Sequence, residues 1–291
     1  VRASDGEPAL KQVQPEGSAG MTDEQVSPII VEDLDDQIAV IRLNRPARLN
    51  ALTREMVGDL NDAFATVAGR RTVRAVILTG SGRGFCAGQD VAAADARNRT
   101  APSGLVERYY WQEQFAGMVE RIHAMPQTVI AAVNGPCAGA GMALALAADI
   151  RIASHSARFL NAAVRLGLTA GESGMSYFLP RLIGAARAFE ILITGRPVEA
   201  DEAERIGLVA RLVDDAALLM EAEALARQIL ANSPFGTEHT KRVVWQNIDA
   251  PSVAAAIELE NRTQILASMT EDYKEATAAF TDKRPPQFQG R

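Results

Sequence analysis

Two hydrophobic periods take turns along the first two-thirds of the chain. Ile38–Leu43 alternates apolar and polar positions as a short strand does, and residues 74–79 form the nearly continuous apolar run of a buried strand. Between them Thr53 opens a helix on which Met56, Val57, Leu60, Phe64 and Val67 recur at helical spacing, with Glu55 in its first turn. A third apolar strand, Thr128–Val133, runs into Asn134-Gly135-Pro136, and a helix of small residues over 140–148 and a strand over 149–153 follow. Strand and helix in alternation predict an α/β domain. The small residues of the fourth segment, with Gly139 and Gly141 at its start, predict that something approaches its backbone closely.

The pattern changes near residue 200. A short helix over 201–206 is stopped by Gly207, and 209–213 reads as a last strand. Helical stretches follow over Leu218–Leu230, 237–246, 252–269 and 272–280, before Pro285-Pro286 ends regular structure. We therefore read residues 28–205 as an α/β core and 206–291 as a C-terminal helical section. Residues 1–20 carry Gly, Pro, Ser, Glu and Gln without a hydrophobic period and without the apolar centre of a signal peptide. Residues 1–27 thus read as a disordered or artificially appended extension, with Met21 a candidate start.

Composition removes several function classes. The 30 basic against 36 acidic residues give a net charge of −6 and leave no basic stripe, so no nucleic-acid partner is expected. No apolar run approaches the roughly 20 residues of a membrane span, so no membrane partner is expected and a cytoplasmic enzyme is. Two cysteines make no disulfide framework, and no metal-ligand spacing is present.

The glycine-rich run Gly82-x-Gly84-x-x-Ala87, with Glu107 twenty residues on, fits the relaxed dinucleotide fingerprint, which would make the chain a nicotinamide-dependent oxidoreductase. That fingerprint needs the first strand-to-helix turn of a βαβ unit, whereas here a strand and a helix already precede it. The run has company. Asn44-Arg45-Pro46-Ala47-Arg48-Leu49-Asn50-Ala51-Leu52 follows the first strand, Gly84-Phe85-Cys86-Ala87-Gly88-Gln89-Asp90 the second, and Asn134-Gly135-Pro136-Cys137-Ala138-Gly139-Ala140-Gly141 the third. Leu179-Pro180-Arg181-Leu182-Ile183-Gly184, Thr194-Gly195-Arg196 and Phe280-x-x-Lys283-Arg284-x-Pro286-x-Phe288 continue the series. Together they resemble the enoyl-CoA hydratase/isomerase, or crotonase, family over roughly residues 28–288.

The resemblance implies a crotonase-like spiral of ββα units with a C-terminal helical section, a homotrimer or homohexamer, and an acyl-CoA thioester as substrate. No cofactor is implied beyond the coenzyme A of that substrate. It implies an enolate whose oxygen is held by the amides of Gln89 and Ala140. The family usually carries Gly at the second position, and Ala keeps the N–H with less room beside it. Arg48, Ala51, Leu52, Ala87, Gln89, Asp90 and Val91 match the coenzyme A loops. Lys283 matches a basic residue that reaches phosphate, although a lysine in a charged tail equally reads as a solvated surface residue.

The chain departs from the family at two positions. Hydratases of the family use glutamates where Ala143 and Ala163 stand, and alanine neither holds nor passes a proton. The remaining carboxylate is Glu172, in Leu168-Thr169-Ala170-Gly171-Glu172-Ser173-Gly174, which resembles the acid–base residue of dienoyl-CoA isomerase-like members. Its plain alternative is a carboxylate favoured by the start of a helix near Gly174. Isomerase-type or otherwise atypical enolate chemistry is the expectation, with a catalytically silent acyl-CoA-binding protein as the alternative. His123, His155 and His239 show no paired acidic or thiol partner by spacing. Cys86 and Cys137 read as small packing residues, and Tyr109, Tyr110 and Trp111 as packing over the acyl pocket. Asp95 and Arg97 are candidates for its mouth.

Overall fold

The computed structural model describes residues 27–90 and 104–291. The expectation for residues 1–27 therefore lies outside the described residues apart from Ser27, and Val91, Asp95 and Arg97 lie outside them altogether.

A six-stranded sheet in the order β1-β2-β3-β4-β6-β9 forms the centre. Its strands are β1 (Ile29–Asp33), β2 (Ile38–Leu43), β3 (Ala75–Gly80), β4 (Thr128–Val133), β6 (Ile150–Ser154) and β9 (Arg211–Val213). Only β1 runs antiparallel to its neighbour, and the other pairings are parallel. A second sheet holds β5 (Pro136–Ala138), β7 (Arg158–Leu160) and β8 (Val198–Glu199), with β5 and β7 parallel. The carboxyl ends of β2, β3 and β4 thus lie side by side, and the three motif loops leave from them. Such an edge is where open α/β sheets place their ligands.

The alternation of side chains along the strands divides the core into two faces. Ile41, Leu43, Val76, Leu78, Val129 and Ala131 face α1 (Arg54–Ala68), α2 (Leu105–Ala124) and α3 (Ala140–Ala147). Ile38, Val40, Ala75, Ile77, Ile130 and Ile152 face Leu218, Ala222 and Ala226 of the helix Leu218–Leu230. α1 starts where the sequence predicts, because the Thr53 hydroxyl accepts from the Met56 amide at 3.2 Å. α3 is apolar all round and buried along its whole length, as a helix in the middle of a core must be.

The remaining helices are α4 (Met175–Ile183), α5 (Ala185–Thr194), α6 (Ala200–Arg205), α7 (Leu218–Leu230), α8 (Pro234–Ile248), α9 (Val253–Ser268) and α10 (Glu271–Thr281). β9 pairs with β6, and α7 covers the sheet, so both act with the core although they follow residue 206. The sequence pattern missed β1, α5 and the small sheet. A three-residue strand such as β7 carries too few positions for either period to register.

α8 is tied to the core by a buried ion pair, Lys241 Nζ to Asp149 Oδ2 at 2.8 Å. The same carboxylate accepts from Trp245 Nε1 at 2.8 Å and from the Val129 amide. α9 buries none of its residues, and Val253, Ile265, Leu266 and Met269 stand exposed on it and at its end.

Candidate active site

Two asparagines knit the three loops together. Asn50 is fully buried and left-handed at φ 58°. Its Oδ1 accepts from the Arg45 amide at 2.8 Å, and its Nδ2 donates to the carbonyls of Ser81 (3.0 Å) and Gly84 (2.7 Å). Asn134 donates to the carbonyls of Gly80 and Gly82, each at 2.9 Å, and accepts from the Gly80 amide. Arg45 adds a charge clamp, with one guanidinium nitrogen 3.0 Å from Asp90 Oδ2 and 2.6 Å from the Ala51 carbonyl. Asparagine suits this work because it tolerates the left-handed region and carries both donors and acceptors. Sequence reasoning missed all three residues. Their position inside the motif loops was the available signal.

The pairing of the loops decides which amides are left over. Leu52 donates to the Gly88 carbonyl at 2.8 Å and accepts from the Asp90 amide at 2.9 Å. A strand-like residue whose two neighbours bond on one side turns its own N–H to the other, so the Gln89 amide faces away from Leu52. Ala140 is the first residue of α3, where the amide has no partner within the helix. Among the described residues, neither the Gln89 nor the Ala140 N–H makes a backbone hydrogen bond. The two segments meet through Gly88, at φ 90°, where a Cβ would lie 2.9 Å from the Ala138 carbonyl oxygen and 3.5 Å from the Ala140 nitrogen. Gly141 is equally constrained, since a Cβ there would lie 2.3 Å from the Cys86 carbonyl oxygen. That contact is the close approach predicted for the small-residue helix.

Among the described residues, the Gly82–Ala87 run opens no helix. Cys86 bridges Cys137 in parallel fashion and Phe85 donates to the Pro136 carbonyl, while Glu107 sits in the first turn of α2. The geometry of a dinucleotide turn is absent from the described residues of this loop. Ala51 and Leu52 are buried, Arg48 and Gln89 are exposed, and Ala87 is half-buried. The Asp90 side chain is engaged by Arg45. Lys283 stands exposed at φ 51° beyond α10, and no contact among the described residues brings it to the three loops.

The two alanines expected to stand at the glutamate positions are both buried, Ala143 fully and Ala163 at 6% exposure. Asn161 joins Ala163 to the segment carrying Glu172, because its Oδ1 accepts from the Ala163 amide at 3.0 Å and its Nδ2 donates to the Ala170 carbonyl at 3.1 Å. Glu172 is half-buried, and its carboxylate has no hydrogen bond or ion pair among the described residues. Burial pushes its pKa up. It precedes the cap of α4, Gly174, by two residues, outside the first turn where the helix dipole would act. Between them Ser173 is left-handed at φ 47° and 8% exposed, with an unpartnered hydroxyl.

The other candidates sort by environment. Cys86 and Cys137 are fully buried, and burial pushes the Cys86 thiol up to about 12 and Cys137 well above the ordinary thiol range, so both are packing residues. Trp111 packs on the core beside Phe115, whereas Tyr109 and Tyr110 are exposed. His155 corrects the reading from spacing: its ring lies 3.9 Å from Asp201 and 3.8 Å from Asp214, carboxylates that only the fold brings near it. His239 stacks on Phe235, and the half-buried His123 packs edge-on against Trp245. Among the described residues, no group of three or more His, Cys, Asp or Glu could hold a metal ion, and no helix is long and apolar enough to cross a membrane.

The family model for enoyl-CoA hydratase/isomerase matches residues 33–291. The chain belongs to that family. It is 45% identical over 268 residues to a protein of Mycobacterium tuberculosis described as a probable enoyl-CoA hydratase, EchA12, covering 90% of this chain and 93% of that one. It is 37% identical over 266 residues to the 1,2-epoxyphenylacetyl-CoA isomerase of Escherichia coli, covering 90% and 98%. Its fold matches the crystal structure of a probable enoyl-CoA hydratase/isomerase from Mycobacterium abscessus with a TM-score of 0.83, at 39% identity over 91% of this chain and all of that one. The fold is therefore the crotonase fold, and this enoyl-CoA hydratase/isomerase family enzyme acts on acyl-CoA.

Proposed function

We propose that the enzyme isomerises an unsaturated acyl-CoA thioester by moving one proton between carbons at either end of its double-bond system, with Glu172 as its single acid–base group. The observation that carries this reading is the pairing of buried Ala143 and Ala163 with an unpartnered, half-buried Glu172. In the first half-reaction a C–H bond of the acyl chain breaks, its proton passes to a Glu172 carboxylate oxygen, and the electron pair delocalises onto the thioester oxygen as an enolate. In the second half the enolate collapses, the proton returns at another carbon, and the double bond has shifted with no co-reactant consumed.

The Gln89 and Ala140 amides hold the developing oxyanion. Losing one such donor costs about 3 kcal/mol of transition-state stabilisation in enzymes where it has been removed. The Ala140 amide gains further from the N-terminus of α3. A carboxylate kept partly out of water binds its proton more readily than a solvated one, which suits a group that must take and return it. Arg48, Ala51, Leu52, Ala87, Gln89, Asp90 and Val91 form the coenzyme A side, with Lys283 reaching phosphate. The kinship with a 1,2-epoxyphenylacetyl-CoA isomerase is compatible with a rearrangement, and the kinship with probable enoyl-CoA hydratases makes hydration the alternative to test. We take the enzyme to be cytoplasmic, to need no cofactor beyond the coenzyme A of its substrate, and to assemble as a homotrimer or homohexamer that covers the apolar face of α9.

A panel of CoA thioesters scored separately for binding and for turnover, with native chain and Glu172→Gln, tests the reading. Isomerisation that Gln abolishes while binding persists supports it. Brisk hydration of crotonyl-CoA by the native chain would sink it, and binding without any turnover would make the chain a silent acyl-CoA-binding protein.

A further inference from the structure

The turn that carries Glu172 is short, left-handed at two successive residues, and held by little of its own. Its carbonyl end is fixed by the Met175 amide, which donates to the Glu172 carbonyl at 2.8 Å. Behind it stands an aromatic cluster assembled from three helices. Phe178 of α4 lies so close to Gly174 that a Cβ there would be 2.8 Å from its ring, and Val119 of α2 would be 3.3 Å away. The Phe178 ring meets Trp245 of α8 edge-on at 5.7 Å, and His123 of α2 lies 5.6 Å from Phe178 and 4.4 Å from Trp245. Trp245 itself cannot drift, because its indole N–H is bonded to Asp149, whose other oxygen is paired with buried Lys241.

We infer that Trp245 is a positioning residue for Glu172, so that α8 of the C-terminal section completes the acyl half of the site within the same chain. The contact runs from Asp149 to Trp245, to Phe178, to Gly174, and through Ser173 to Glu172. Ser173 and Gly174 at φ 47° and 79° place the backbone where little else would hold it, so the packing of Phe178 against Gly174 restrains the turn from behind. Displacing Phe178 frees the turn, exposes the carboxylate to water and misplaces it from the carbon it serves. His123 belongs to the same cluster: burial of its ring and the nearby Lys241 charge push its pKa down, and Asp149 opposes them.

The inference rests on Glu172 being the proton carrier, and the experiment separates the two. Trp245→Phe removes the hydrogen bond and keeps a ring, while Trp245→Ala removes both. A misplacement of about 1 Å costs on the order of 10²-fold in rate. The Ala variant should therefore lose about 10²-fold in kcat and the Phe variant less, both with KM within about twofold of native. The acid limb of the kcat–pH profile should move towards lower pH in both, as water reaches the carboxylate. In a Glu172→Gln background neither change should lower kcat further. If the Ala variant fails to fold, the Phe variant carries the test. A Phe variant with native kcat and an unmoved acid limb, or one that loses only thermal stability, would overturn the inference and leave the Glu172 reading standing. Full turnover by Glu172→Gln alone would overturn that reading, and the inference with it.

Discussion

The two halves of the candidate site are built on opposite principles. The half proposed to hold coenzyme A and the oxyanion is main chain: amides and carbonyls of three loops, fastened by Asn50, Asn134 and the Arg45–Asp90 pair, with Gly88 and Gly141 setting the spacing. The half proposed to serve the acyl chain is one side chain, Glu172, beside a left-handed turn, with buried alanines at 143 and 163. The first half has many redundant fastenings and a fixed geometry. The second depends on burial and packing from elsewhere. This division predicts that mutations in the first half act through folding, and mutations in the second act through rate.

The largest effect should come from the backbone half. Gly141→Val places a Cβ 2.3 Å from the Cys86 carbonyl and forces two buried loops apart. We expect loss of the cooperative thermal transition, and a native-like melt with selective loss of kcat would refute a shared backbone frame. Next is Glu172→Gln, for which kcat should fall by about 10²–10⁴-fold while coenzyme A thioesters bind as before, measured by single turnover against calorimetry. Asn50→Ala leaves the Ser81 and Gly84 carbonyls and the Arg45 amide without their partner. At about 1–3 kcal/mol for an unsatisfied buried group, a drop of at least about 2 kcal/mol in denaturant unfolding is expected. A drop under about 0.5 kcal/mol would mean that water replaces the amide.

The smallest effect tests the sign of burial at Glu172. Its pKa in the folded protein is raised above the ordinary 4.5. A carboxyl raised on folding favours the folded state while protonated, below its unfolded pKa, and that contribution is lost as pH rises through the folded value. At neutral pH the ionised carboxylate is therefore a burden. Glu172→Gln should raise the melting temperature slightly at pH 7, and the gain should vanish below about pH 4.5. An equal gain at both pH values would assign it to something other than charge.

Much of this was legible in the chain because the core obeys its local pattern. The strands at Ile38–Leu43 and Thr128–Val133, the helix capped by Thr53 and the buried α3 all follow from periods that a reader can count. The three loops were equally legible as motifs, and they do converge. The fastenings were not, because Asn50 reaches Gly84 across 34 positions and Trp245 reaches Asp149 across 96. No period encodes such a contact. Glu172 was visible as a carboxylate, but the neighbouring Gly174 is packed by Phe178 and Val119, a contact that spacing along the chain does not report.

The unclaimed amides of Gln89 and Ala140 have a consequence for how such a site can change through descent. A main-chain N–H is supplied by every residue except proline, so almost no single codon change deletes it. A geometry made of such amides is therefore heritable almost independently of which side chains surround it. If those amides hold the oxyanion as proposed, carboxylates around the acyl chain are free to appear, vanish or shift along the loops without dismantling it. On the proposed reading, a lineage could trade one enolate chemistry for another by a handful of substitutions, with Ala143, Ala163 and Glu172 as one outcome of such a trade.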